Sequence, residues 1–186
     1  YHPVHRILST ALNSVDPALL IENKIDYGVR PERTPDGKLG DFSVRYVTID
    51  DCICFQASIT GFEDDEIDLL TYGGTTKLAL DAAERLMIEQ EISVRVSSVS
   101  RLSPLPKDLL DEILDDRPVI LLEEGPAEYG IVDGVAAWIA ENKRGQAICR
   151  ISGRLSVIPS SRDMEADVLP TIDEVCAMGI ELASAR

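Results

Sequence analysis

Three short stretches of this 186-residue chain combine residue types and spacing suited to chemistry. Gly73-Gly74-Thr75-Thr76 joins an apolar run to an amphipathic one, and amides plus hydroxyls at a helix N-terminus form a cradle for phosphate. The stretch has neither GxGxxG nor GxxxxGK[ST] spacing, and a double glycine serves a strand-to-helix turn in any case. Ser97-Ser98 closes a second apolar run. Glu123-Glu124-Gly125 closes a third, where paired carboxylates drawn out of water hold protons more tightly and serve as acid or base. No His or Cys in that stretch offers a partner, and the electrostatics of a helix N-terminus account for two glutamates equally well. His2 and His5, the only histidines, lie in the leader and read either as remnants of an active site now cut away or, the better-supported reading, as exposed surface residues. No GxSxG or HExxH occurs, and Cys52, Cys54, Cys149 and Cys176 lack a CxxC spacing for zinc.

Ligands of open α/β sheets bind beyond the carboxyl ends of the strands, so the order of elements decides whether these stretches meet. Residues 67–72, 93–99, 118–122 and 147–151 are apolar runs bounded by breakers and predict strands. Between them lie helical patterns. One is capped by Thr75 or Thr76, with Leu78, Ala79, Ala82, Ala83, Leu86 and Met87 inward; others cover 106–114 and 129–141. Thr171 with Glu174 forms a capping box for a last helix over 172–183, with Ile172, Val175, Cys176, Ile180 and Ala183 facing the core. Strand-helix alternation with unbroken apolar strands predicts an α/β fold: a three-layer α/β/α sandwich on a mainly parallel mixed sheet of about five strands. Val44 to Ile59, β-branched and aromatic with imperfect alternation, adds one or two strands at a sheet edge.

Upstream, residues 4–13 have helical spacing, and Asp16-Pro17 leads into Ala18-Leu19-Leu20-Ile21, which reads as a short buried strand. Pro31, Pro35, Gly37 and Gly40 stand among charges and mark a linker. The expected division is 1–29, a linker over 30–43, and a main domain over 44–186. The chain opens at Tyr1 and runs straight into amphipathic sequence, as a piece cut from something longer.

Composition narrows the classes further. A hydrophobic content of 45% supports one full core, and no run approaches the roughly 20 apolar residues of a membrane span. A formal charge of −15 disfavours a phosphate-backbone binder and favours solubility or a basic protein partner. Four unpaired cysteines predict a reduced, cytoplasmic protein.

Several segments also resemble, in order, the beta subunits of the thiamine-diphosphate-dependent 2-oxo-acid dehydrogenases, pyruvate and branched-chain, and mainly their transketolase-type C-terminal domain. Asp16 to Lys24 with Tyr27-Gly28 is similar to the "DPVLFLEHKLLY" segment that closes the pyrimidine-binding domain. Leu69 to Gly73 followed by Ala79-Leu80 and Ala82-Ala83 is similar to "VTYG…ALEAAE", and Ile92 to Leu105 to "GISVEVIDLRTLSPLD". Leu121 to Pro126 with Tyr129-Gly130 resembles "VVVEEGP…GFGAEIAA", Ile148 to Gly153 "VRVTG", and Leu169 to Val175 "YLPSVEDIV".

The resemblance implies that 1–29 is a remnant of the pyrimidine-binding domain and 44–186 the transketolase-type C-terminal domain, with a parallel sheet and an antiparallel edge strand. It implies a full enzyme that decarboxylates a 2-oxo acid and acylates a lipoyl group with thiamine diphosphate and magnesium. The GDG…N motif that holds the diphosphate is missing, since Gly40-Asp41, the only Gly-Asp pair, precedes Phe42. No catalytic, cofactor-binding or metal-binding residue is therefore expected in this chain. Its expected role is assembly with an alpha subunit or domain, a second beta copy and a lipoyl acyltransferase core, with Glu123, Glu124 and Tyr129 as interface candidates. A transketolase-like two-carbon transferase, or a stand-alone anion- or nucleotide-binding module using Gly73 to Thr76, is the alternative. The sequence departs from the family pattern in the longer 33–65 stretch, in Pro106, in Ala127-Glu128, and in Gly145, which replaces an acidic residue linked to acyltransferase docking.

Overall fold

The computed structural model describes residues 1–24, 28, 38–62, 64–154 and 157–185. The four apolar runs form β4 (Ile67–Thr71), β5 (Val94–Val99), β6 (Val119–Pro126) and β7 (Ile148–Gly153), side by side and parallel in the order β5-β4-β6-β7. Their side chains alternate between two cores. Ile120 and Leu122 face α2 (Thr75–Gln90) and α6 (Ile172–Ser184), where Ala83, Leu86, Val175 and Leu182 are buried. Val119 and Leu121 face α3 (Lys107–Ile113) and α4 (Ile131–Asn142), where Leu110, Ile113, Val135 and Ile139 are buried. Helices on both faces explain why these strands carry no polar side. The three-layer sandwich is the expected one.

The sheet is larger than expected, with seven strands among the described residues rather than about five. The 44–59 region holds two full strands, β2 (Phe42–Ile49) and β3 (Cys52–Ile59), paired antiparallel around an Asp50-Asp51 turn. Asp50 takes a left-handed φ of 50°, a conformation that Asp tolerates better than most residues. β3 pairs antiparallel with β5, so it lies inside the sheet and Cys52 to Ala57 are all buried. Burial on both faces erases the alternation that would have separated two strands. A two-residue strand, β1 (Lys38–Leu39), pairs with β2 at the edge. Residues 38–43 of the expected linker thus belong to the sheet, while 30–37 lie outside the described residues.

Within β4, Asp68 breaks the apolar run unannounced. Its carboxylate is fully buried and accepts Arg95 Nε at 2.8 Å and Nη2 at 3.1 Å, and Arg95 Nη2 also donates to the Ile113 carbonyl at 2.7 Å. Burial raises the Asp68 pKa against the opposing pull of Arg95. The pair ties β4 and β5 to the end of α3.

At the C-terminal end, the capping box forms as expected. Thr171 Oγ1 accepts from the Glu174 amide at 3.2 Å, and Glu174 Oε2 accepts from the Thr171 amide at 2.9 Å. The buried face of α6 is Val175, Cys176, Gly179 and Leu182, whereas Ile180, expected inward, is exposed. Gly179 occupies that line because a Cβ there would sit 2.8 Å from Leu86 Cδ1 of α2. A five-residue helix, α5 (Arg162–Ala166), precedes α6.

At the other end, α1 (Val4–Asn13) forms with no buried residue. Ala18-Leu19-Leu20-Ile21 is not the buried strand its composition suggested: it has no regular structure, and Leu19 and Ile21 are 87% and 76% exposed. An apolar run becomes a strand only where a sheet edge is free to pair with it, and none is paired with this one. Parts of the leader do reach the domain: the Tyr1 ring lies 5.3 Å from that of Phe55 and its carbonyl accepts Tyr46 Oη at 2.7 Å.

Candidate functional site

The crossover from β4 to β5 runs one way along the sheet, and the return from β5 to β6 passes back over β4. The crevice between the carboxyl ends of β4 and β6 is therefore the point where strand order reverses, the usual ligand position in such sheets. Two of the three stretches meet there: Tyr72-Gly73-Gly74 after β4 and Glu123-Glu124-Gly125 at the end of β6. Ser97-Ser98 lies on β5, one strand over, and closes against its neighbours. Gln56 Nε2 donates to Ser97 Oγ at 2.9 Å, and the Ser98 and Thr76 hydroxyls are 2.8 Å apart.

Glu123 is 1% exposed. An irregularity in the β6–β7 register between Leu122 and Pro126 accompanies its position. Its carboxylate accepts Tyr72 Oη at 2.9 Å, the Ile131 amide at 3.0 Å and, more weakly, the Val132 amide at 3.5 Å and Ser152 Oγ at 3.4 Å. Ile131 and Val132 open α4, so the buried charge satisfies amides that a helix start leaves without partners. Burial, and then the hydrogen bond to and charge of Glu123, raise the Tyr72 pKa far above the ordinary phenol range. The phenol stays a donor at any ordinary pH. Glu123 thus holds the start of α4 and Tyr72 together.

Its packing also dictates the next loop. A Cβ on Gly130 would overlap the Glu123 carboxylate, so only glycine fits. The preceding residue, Tyr129, has a left-handed φ of 68° and a side chain 93% exposed. The expected helix start at 129 moves to Ile131 accordingly. Asp133 Oδ2 accepts from the Gly130 amide at 3.2 Å, and Asp133 also pairs with Arg150. Of the three interface candidates, Glu124 and Tyr129 are exposed and Glu123 is buried beneath them.

The glycine-threonine turn uses up its own polar groups. Gly73 takes a left-handed φ of 57° and Gly74 caps α2, in place of the expected threonine cap. Thr75 Oγ1 donates to the Tyr72 carbonyl at 2.7 Å and Thr76 Oγ1 to the Gly73 carbonyl at 2.8 Å, with both threonines buried. A Cβ on Gly74 would lie 2.6 Å from Asn23 Nδ2 and 3.2 Å from Glu124 Oε1, so two side chains already crowd the helix start. Little of a phosphate cradle is left. A shallow cavity of about 320 Å³ opens beside it, walled by Leu78, Leu169, Pro170 and Ile172, with Gly74 and Glu124 at the rim.

His2, expected on the surface, is half-buried with Nε2 3.3 Å from Ser98 Oγ, and burial lowers its pKa to about 4. Tyr72, Asn23, His2 and Ser152 are the site residues that sequence reasoning missed. Only Tyr72 carried a signal, standing at the end of a predicted strand immediately before the double glycine.

The residues present do not fit a magnesium diphosphate. Among the described residues no cluster of three or more His, Cys, Asp or Glu is arranged for a metal, and Gly40-Asp41 forms the tight turn between β1 and β2. The four cysteines are free, and burial pushes the Cys54 thiol up to about 12, well away from nucleophilic use. Among the described residues, no helix is long and apolar enough to cross a membrane.

This fold, with its switch-point crevice filled from within, is that of a transketolase C-terminal domain. The family model of that description matches residues 59–175, and the chain belongs to the family. Its curated relatives include the acetoin:2,6-dichlorophenolindophenol oxidoreductase beta subunit of Bacillus subtilis, 27% identical over 180 residues, covering 95% of this chain and 48% of that one. The 2-oxoisovalerate dehydrogenase beta subunit of the same organism is 29% identical over 182 residues, covering 95% and 52%. The mitochondrial pyruvate dehydrogenase subunit beta-1 of Arabidopsis thaliana is 22% identical over 175 residues, covering 91% and 45%. The chain spans about half the length of these relatives. Among solved structures, a split-gene transketolase crystallised as an inactive beta4 tetramer shares the fold, with a TM-score of 0.56 and 23% identity over 68% of this chain and 42% of that one.

Proposed function

We propose that this chain is the assembly domain of a 2-oxo-acid dehydrogenase beta subunit, whose full enzyme decarboxylates a 2-oxo acid and acylates a lipoyl group with thiamine diphosphate and magnesium. The observation that carries this reading is the extent of the alignments. Beta subunits align over 88% to 95% of the chain, whereas deoxyxylulose-phosphate synthases align over 39% to 58%. An alignment over 95% of the chain must take in most of the first 29 residues, the stretch that resembles the end of a pyrimidine-binding domain. That extent favours the dehydrogenase branch over a transketolase-like transferase.

The site supports the same reading. Its buried groups are spent on internal hydrogen bonds, while Glu124, Tyr129 and Val4, Leu8 and Leu12 of α1 face outward. An alpha subunit or domain and a second beta copy are the partners, and four free cysteines suit the cytoplasm. Docking of a lipoyl acyltransferase core is weakened by Gly145, which has no charge to offer.

Two measurements test this. Titration of thiamine diphosphate with magnesium into the chain alone should give no saturable heat. Co-expression with an alpha-type subunit from the same source should give a complex that elutes together and does bind the cofactor. Micromolar, magnesium-dependent binding by the chain alone would overturn the proposal.

A further inference from the structure

A second cavity, of about 250 Å³, lies beyond the carboxyl end of β5, between the β2–β3 turn and the entry to α3. It is lined by Ile49, Asp50, Arg101, Leu105, Lys107 and Asp108, together with buried neighbours. The family match begins at residue 59, so the turn that makes one wall lies outside it, and the opposite wall includes Pro106.

Its charges lack the partners found at several other cations: Arg95 pairs with Asp68, Arg117 with Asp115, Lys143 with Asp111 and Arg150 with Asp133. Asp50, Arg101, Lys107 and Asp108 face one cavity, and among the described residues none of the four side chains forms an ion pair or a hydrogen bond, with one another or with anything else. Arg101 is half-buried and its Nε is buried without an acceptor. A partly desolvated guanidinium with no acceptor is costly, and a carboxylate offered to the fork offsets that cost through charge-assisted hydrogen bonds.

We propose that this cavity binds a small zwitterion, an aliphatic α-amino acid, with its carboxylate on Arg101 and Lys107 and its ammonium toward Asp50 and Asp108. The lining carries two positive and two negative groups, so it complements a ligand bearing both signs and no net charge. Ile49 and Leu105, both half-buried, supply a small apolar edge for the side chain. The volume falls below the roughly 300 Å³ at which pockets for drug-sized ligands begin, so the ligand is small. The inference stands apart from the assembly role, because it uses none of the Glu123 site and needs no partner subunit.

The test uses three probes on the full chain: L-leucine, isovalerate, which keeps the carboxylate and lacks the ammonium, and isoamylamine, which keeps the ammonium and lacks the carboxylate. Amide shifts are followed by NMR during each titration. L-leucine should shift residues 49–52 and 101–109 saturably, and each half-ligand should bind at least about tenfold more weakly. Arg101→Gln should lose about tenfold or more in leucine affinity, and Asp108→Asn, exposed at the rim, should weaken leucine without weakening isovalerate. No leucine-dependent shift in those residues overturns the proposal. So does isovalerate matching leucine, which would make the cavity a plain anion site. If Arg101→Gln fails to fold, Asp108→Asn and Lys107→Ala decide, and unchanged leucine affinity in both overturns it.

Discussion

Replacing Glu123 with alanine should unfold the α4 side of the domain far more easily than its surface neighbours suggest. The carboxylate makes two sound hydrogen bonds, to Tyr72 Oη at 2.9 Å and to the Ile131 amide at 3.0 Å, and it is 1% exposed. Hydrogen bonds to a charged group contribute about 1.5 to 3 kcal/mol each, and truncation strands both donors. Tyr72 is only half-buried and regains some water, so the expected loss is about 3 to 5 kcal/mol rather than the full sum. For a chain of this size each kcal/mol moves the melting temperature by about 2 to 4 °C, which puts the shift at roughly 10 °C. Urea unfolding followed by circular dichroism should show a lower midpoint with an unchanged slope, the sign of lost stability rather than altered compactness. A double-mutant cycle isolates the contact: Tyr72→Phe should cost about 1 kcal/mol in the native background and almost nothing once Glu123 is gone. Should Glu123→Ala melt within about 2 °C of the parent, or the two substitutions simply add, Glu123 is not the anchor described above.

Two further outcomes follow from the same structure. His2 has its pKa lowered from 6.5 to about 4 by burial, so the folded state favours the neutral ring; its contribution is complete above pH 6.5 and is lost as pH falls towards 4. Its ring protons should show no titration near 6.5 by NMR, and His2→Gln should flatten the acid-side fall in stability; a midpoint near 6.5 would mean the ring is not buried. Truncation after Leu169 removes Val175 and Leu182, together worth about 3 to 6 kcal/mol of buried aliphatic surface against a usual margin of about 5 to 15. The truncated chain should aggregate or melt far earlier, and an unchanged melting temperature would show that α6 contributes no core.

How much of this was legible follows from where each contact is made. β4, β5, β6 and β7 were readable because a strand covered on both faces must be an unbroken apolar run, and breakers bound each one. The α6 start was readable because Thr171 and Glu174 satisfy each other within three residues. β2 and β3 were blurred because β3 is buried on both faces, Cys52 and Cys54 in one core and Phe55 and Ala57 in the other, so its sequence shows no polar side. Ala18 to Ile21 misled because composition alone does not say whether a sheet edge is available. Glu123 stood out as a carboxylate after a buried strand, but its partner Tyr72 lies 51 residues away, brought close only by the order β4-β6. Asp68 with Arg95, 27 residues apart, was hidden for the same reason.

The switch-point crevice is where an open α/β sheet ordinarily admits a ligand, and here it is filled by the chain's own side chains. Glu123 and Tyr72 meet across it, the threonine hydroxyls turn back onto carbonyls, and Asn23 and Glu124 crowd Gly74. The cost of burying a carboxylate is offset by holding the α4 start, and Gly130 must be glycine for the carboxylate to fit. What the arrangement leaves outside is Tyr129, in a left-handed backbone conformation that is unfavourable for an aromatic residue and with its ring almost wholly in water. Among the described residues nothing covers the ring or relieves the backbone. Burial of an aromatic ring is favourable and would offset the cost of the left-handed φ without removing it. The buried carboxylate and the exposed ring are therefore two ends of one loop: Glu123 fills the crevice and requires glycine at 130, and the loop it fixes holds Tyr129 out in water.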